Sequence, residues 1–139
     1  KLREIKTDDC KVTVGGEVYS PHEGESIKVR SSMPVGDMAK LTSFYTMADD
    51  MKAEGSTDNM QNLKNATALF DEACDILSKH IVEWDWTDDM GDAIAQPYKN
   101  PTAIKELAAE EVFYLLNVAI NGESPTEAKN DGLPLPTTT

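Results

Sequence analysis

The stretch from Leu63 to Ile120 constrains this fold most, because it reads as two amphipathic helices joined by a bend that carries both tryptophans. Leu63, Ala66, Phe70, Ala73, Leu77 and Ile81 recur at three- and four-residue spacing, with Leu69 and Ile76 widening the stripe. That period predicts a long helix running on through Ile81-Val82-Glu83-Trp84-Asp85-Trp86, and so wide a stripe predicts burial on more than one side. Thr87-Asp88-Asp89-Met90-Gly91-Asp92 breaks the period, and Gln96-Pro97-Tyr98-Lys99 keeps the chain extended. Asn100 suits an N-cap and Pro101 a first helical position, since the Asn side chain can accept an orphan amide and Pro has no amide to waste. Ile104, Leu107, Ala108, Val112, Leu115, Leu116 and Ala119 form the apolar face of this second helix, which Asn121-Gly122 should stop.

Upstream, Lys11 to Val14 alternates polar and apolar residues, Gly15-Gly16 supplies a turn that tolerates positive φ, and Glu17-Val18-Tyr19 resumes the alternation. Ile27-Lys28-Val29-Arg30 alternates again after a polar connection, which predicts a small antiparallel meander. So few strands are not stable alone in water, so helices must cover them and the expected class is α+β, a β-meander packed against three or more α-helices. Met38, Leu41, Phe44 or Tyr45, Ala48 and Met51 give the first helix, ended by Gly55 and Ser56-Thr57-Asp58-Asn59. Residues 1–9 read as a flexible leader whose start at Lys1 is expected to be trimmed or processed, 10–122 as one α+β domain, and 123–139 as an extended Pro/Thr-rich tail.

The chain of 139 residues carries 25 acidic against 13 basic residues, a formal net charge of -12. Such a field repels phosphate backbones and anionic lipid, so nucleic acid and membrane surfaces are excluded as expected partners. No apolar run approaches the roughly 20 residues that span a bilayer. Cys10 and Cys74 are far apart in unlike contexts, which points to free thiols in a reducing cytoplasm.

Catalytic and metal chemistry find no motif. Starting an EF-hand-type loop at Asp85 puts Met90 where Gly is required and Gln96 where Glu is required, so Asp85, Asp88, Asp89 and Asp92 read as a solvated acidic bend. His22 and His80 lack the paired spacing of a zinc site, and His80 reads as a helix-end residue favoured by the dipole. Glu110-Glu111 and the Glu23/Glu25 pair are expected to face water. No catalytic residue, cofactor or metal ligand is assigned, and the expected class is non-enzymatic.

Trp84 and Trp86 are the most informative pair. Their side chains are expected to point to opposite sides in extended chain and to diverge by about 200° on a helix, so that one can be core while the other is exposed. An exposed indole would anchor a partner; two buried ones would make the joint a hinge. The methionines (Met33, Met38, Met47, Met51, Met60, Met90) suit either an adaptable surface or the core.

Glu17-Val18-Tyr19-Ser20-Pro21-His22-Glu23-Gly24-Glu25, Met33-Pro34-Val35-Gly36-Asp37-Met38 and Val82-Glu83-Trp84-Asp85-Trp86-Thr87-Asp88-Asp89 together resemble the tail assembly chaperones of long-tailed bacteriophages, over Val12 to Asn121. There too an acidic Trp segment precedes Pro-rich text and a Leu-rich helix. The resemblance implies a protein of the host cytoplasm that binds the hydrophobic, aggregation-prone tape measure protein and helps recruit tail tube subunits, with no catalytic residues to carry over. Its partner surface would be the apolar face flanked by Trp84 or Trp86, with Leu115 and Leu116 on it; a homo-oligomer is compatible with that role. Many members of the family are made in two lengths by frameshifting, whereas the tail here is short and Pro-rich. Two other classes compete: an acidic phage-encoded inhibitor that mimics nucleic acid on a basic host protein, and a virion structural component.

Overall fold

The computed structural model of the protein describes the backbone of residues 2–54 and 60–122 and the side chains of residues 2–49 and 66–122. The expected helix end at residues 55–59 and the tail at 123–139 lie outside the described residues. In chain order the elements are β1 (Leu2–Lys6), β2 (Val12–Val14), β3 (Glu17–Tyr19), β4 (Ser26–Arg30), α1 (Val35–Glu54), α2 (Met60–His80), β5 (Ile81–Trp84), α3 (Pro101–Lys105) and α4 (Ala109–Asn121). The class is α+β, as expected. The strand pairing is not sequential.

β4 is the central strand of an antiparallel sheet ordered β1-β4-β5, while β2 and β3 form a separate hairpin. Ile27 and Val29 alternate with Lys28 along β4 and are fully buried, Ile27 facing Ile5 on one side and Trp84 on the other. The leader expected over residues 1–9 is therefore corrected: residues 2–6 are a strand with its charged residues outward and Ile5 as its one buried residue. Gly15 and Gly16, at φ 59° and 85°, make the tight two-residue turn of the β2-β3 hairpin. That hairpin projects from the body, with Val14 and Val18 more than 60% exposed.

The long helix also ends earlier than its apolar period predicts. α2 stops at His80, and Ile81 to Trp84 pair with β4 as β5. A residue such as Ile81 satisfies both a helical stripe and the buried face of a strand, so period alone does not mark the change. The second helix of the pair is likewise two pieces. α3 is a single turn after Pro101, and Ala108 is extended (φ -68°, ψ 154°) before α4 begins. Asn100 does not cap with its side chain; its Nδ2 donates to the Gln96 carbonyl at 3.1 Å. Gly122 closes α4 in the left-handed region (φ 82°) as expected.

Leu41 and Phe44 of α1, Ala73, Cys74 and Leu77 of α2, Ile104 of α3, and Leu115, Leu116 and Val118 of α4 join the sheet's inner face in one core. α2 contacts α1, α3, α4 and β5, which accounts for its wide stripe.

Candidate functional site

All four side chains expected on a partner surface lie inside the core. Trp84 is 3% exposed, and Trp86, Leu115 and Leu116 are 0% exposed. The indoles do not diverge, which corrects the expectation for extended chain as well as for a helix: β5 ends at Trp84, the chain is not helical on to Trp86, and residues two apart in extended backbone share a face. Their rings stack in parallel, with centroids 4.9 Å apart and 6° between planes. Trp84 Nε1 donates to the Ala95 carbonyl at 3.0 Å and Trp86 Nε1 to Thr7 Oγ1 at 3.1 Å, so both polar edges are satisfied. The condition of one exposed indole is not met.

A third ring extends the stack. His22 lies flat on Trp86, with centroids 3.7 Å apart and 5° between planes, and is fully buried. Its Nδ1 is 2.8 Å from Glu25 Oε1 and its Nε2 is 2.5 Å from Glu111 Oε2. Carboxylates only accept, so each contact is a hydrogen bond where the facing ring nitrogen carries a proton, and the ring itself rests on an aromatic face. Glu25 reaches further: its Oε1 accepts the Thr87 amide at 3.2 Å and its Oε2 the Thr87 hydroxyl at 2.6 Å. The Thr7 hydroxyl lies 3.1 Å from the His22 carbonyl and 2.8 Å from that of Glu25.

Glu111 serves α4 as well. At the third helical position its Oε1 accepts the Ala108 amide at 2.8 Å, a return bond that fixes the helix start although Ala108 has no acceptor to reciprocate. Burial by itself would raise the Glu111 carboxyl; the hydrogen bonds from His22 and the Ala108 amide, with the charge on His22, outweigh it and hold the group below its usual range. Glu110 accepts the Thr13 amide at 2.9 Å and ties the projecting hairpin to α4. The expectation that these acids face water holds for Glu23 and Glu110, which are exposed, and is corrected for Glu25 and Glu111, which are partly buried. His22 as it stands offers no exposed edge and no vacant nitrogen to a substrate; the cluster fastens the 20–25 turn, the end of β1, the Trp segment and α4 together.

The sequence carried little signal for this cluster. His22 and Glu25 are three apart in a tight turn with Gly24 at φ 82°, but Glu111 is 89 residues distant. His80 also differs from its expected role as a dipole-favoured cation. It is buried at the end of α2, and burial first, then Arg30 and Arg3, push its pKa below the ordinary value, favouring the neutral ring.

The acidic bend is a closed turn. Asp88 Oδ1 accepts the amides of Met90 and Asp92, each at 2.9 Å, while Asp85 accepts the Ser26 amide at 2.8 Å. Among the described residues no group of three or more His, Cys, Asp or Glu is arranged to hold a metal ion. Nor, among them, is any helix long and apolar enough to cross a membrane.

Open surface lies elsewhere. Between α1, α2 and α4 runs an apolar groove of about 500 Å3, walled by Phe44, Met47, Phe70, Leu107, Val112 and Phe113, with Ala66 and Ala109 at its lip. Beside it, a cavity of about 780 Å3 separates the β2-β3 hairpin from the 87–95 turn and the start of α4, with Asp88, Asp89, Glu106, Glu110 and Glu111 on its walls. None of the groove residues was singled out as a partner site from the sequence, because helix faces that meet at a groove carry the same stripe as faces that meet in a core. No family model, curated protein or solved structure matches the chain.

Proposed function

We propose that this chain is a non-enzymatic tail assembly chaperone of a long-tailed phage, acting in the host cytoplasm to keep the tape measure protein soluble and to help bring tail tube subunits to it. The family resemblance supplies the partner. The groove between α1, α2 and α4 supports the reading, because an open channel walled by phenylalanine, leucine and methionine gains free energy from covering a partner's apolar side chains. Thioether and aromatic walls adapt to many apolar sequences, which suits a long and hydrophobic client. The net charge of -12 would keep the complex in solution. The contact surface in this reading is the groove, while Trp84, Trp86, Leu115 and Leu116 are buried in the core.

Co-expression with the tape measure protein of the same genome tests the reading. The unaltered chain should move the tape measure from the insoluble to the soluble fraction and co-purify with it. Ala109→Trp, an exposed position at the groove lip, should abolish both effects. A tape measure that stays insoluble beside the folded unaltered chain would sink the proposal.

A further inference from the structure

The apolar groove is the middle of a larger surface. It shares Leu107 with the acid-walled cavity on one flank, and Phe113 with a hollow of about 310 Å3 between α1 and α4 on the other. Glu110 lines both flanking hollows. A single surface therefore wraps the first half of α4, apolar in the groove and acidic in the two hollows that adjoin it. Asp88, Asp89 and Glu106 stand on one flank and Asp9 and Asp49 on the other. Lys11 is the one cation among the described residues lining the three, and its ammonium bonds Ser20 Oγ at 2.6 Å.

We propose that this surface seats a cationic amphipathic helix of the partner, its apolar ridge in the groove and lysines or arginines beside that ridge. The inference rests on the groove being the partner surface, and it adds the chemistry of what the groove accepts. The occupant is helical because the groove walls are themselves helices that present side chains. An extended segment laid there would bury backbone amides and carbonyls with nothing to pair them, whereas a helix satisfies its own. The occupant is cationic because the adjoining hollows set carboxylates along the border of an apolar floor. Such an arrangement draws in positive charge and rejects an acidic helix by like-charge repulsion and desolvation. Side chains at i, i+3 or i+4, and i+7 supply the ridge, and the residues beside them reach the carboxylates.

Three labelled helical peptides, titrated by fluorescence anisotropy against the full chain, test this directly. One carries a Leu/Phe ridge edged with Lys, the second the same ridge edged with Glu, and the third the Lys edges with a Ser/Gln ridge. The first should bind, the second about tenfold or more weaker, and the third weaker still. Asp49→Lys, Asp89→Lys and Glu106→Lys together, all at exposed positions, should remove most of the preference for Lys edges. Equal binding of the Lys- and Glu-edged peptides to the unaltered chain overturns the inference, as does binding of the ridgeless peptide as tight as the first, or no binding of the first. A tape measure kept soluble without any such peptide preference would overturn this inference alone. The peptide preference without any effect on the tape measure would overturn the assembly role alone.

Discussion

His22 and Glu111, 89 residues apart in sequence, meet with Nε2 2.5 Å from Oε2, and Trp86 covers one face of the same imidazole at 3.7 Å. Glu25 takes the other ring nitrogen. One ring thus bridges two partly buried carboxylates that belong to the 20–25 turn and to α4, and through Glu25 it reaches Thr87 beyond the Trp pair. The groove and its acidic flanks are built on this fastening, since α4 supplies Phe113 and Val112 to the first and Glu110 to the second.

Replacing His22 by Phe preserves a ring against Trp86 but removes both ring nitrogens, which leaves Glu25 with Thr87 alone and Glu111 with the Ala108 amide alone. Breaking a buried pair in this way costs about 3 kcal/mol. Urea unfolding should show that loss for His22→Phe, and adding Glu25→Gln with Glu111→Gln should recover part of it, because the uncompensated charge is then gone. A loss below about 1 kcal/mol for His22→Phe would mean that the stack, and not the ion pairs, holds the joint.

Stability should fall on acidification in two separable windows. His80 has its pKa lowered in the folded state from an ordinary value of 6.5, by burial and then by Arg30 and Arg3. The unfolded chain therefore takes up that proton first, and the contribution present above pH 6.5 is lost as pH falls through the folded value. Glu111 is lowered from 4.5, burial being outweighed by its bonds to His22 and Ala108, so its contribution is present above pH 4.5 and lost below that. Unfolding free energy measured against pH should flatten in the upper window for His80→Gln and in the lower window for Glu111→Gln. A Glu111→Gln curve that parallels the unaltered chain below pH 4.5 would exclude the carboxylate as the acid-sensitive group.

Cys10 and Cys74 are free and fully buried. Burial, reinforced by Glu111, Asp9 and Glu110, pushes the Cys10 thiol up to about 12, and burial pushes Cys74 up to about 11. At pH 8 only about one molecule in ten thousand carries the Cys10 thiolate and about one in a thousand that of Cys74, and the thiolate is the reactive form. A disulfide-exchange reagent should therefore label neither in the folded protein and both in urea. Prompt labelling of Cys10 without denaturant would show that the 7–10 turn opens on its own.

The parts of this fold that were legible in the sequence are those written within a few residues of one another. Gly15-Gly16 marks its turn, Ile27 and Val29 mark the buried face of β4, and Gly122 marks the end of α4. β1 was not legible because Ile5 is its single buried residue among charges, and alternation needs more than one to register. β5 was hidden by the helix before it, since Ile81 fits either period. The fastening at His22 was the least legible, because its partners Glu111 and Thr87 are joined to it only by the folded chain. The expectation that Trp84 and Trp86 diverge in extended chain as on a helix fails because residues two apart in extended backbone share a face, and here their rings stack.

The open edge of β5 carries a last prediction. Trp84 lies at the rim of the sheet, where no further strand pairs with it among the described residues, yet its backbone groups are occupied. The Gln96 side chain accepts the Trp84 amide at 3.1 Å and donates to the Trp84 carbonyl at 2.8 Å, taking the place that a neighbouring strand would fill. A carboxamide is suited to this because it offers one acceptor and one donor on the same plane. Gln96→Ala removes both bonds and should cost about 1–2 kcal/mol. Gln96→Glu keeps the shape but offers only acceptors to a carbonyl, and should cost at least as much at neutral pH. Hydrogen exchange of the Trp84 amide reports the event locally: protection should fall in Gln96→Ala while the Ile27 amide at the centre of the sheet keeps its own. If the Trp84 amide exchanges at the same rate in both proteins, the side chain is not what closes this edge.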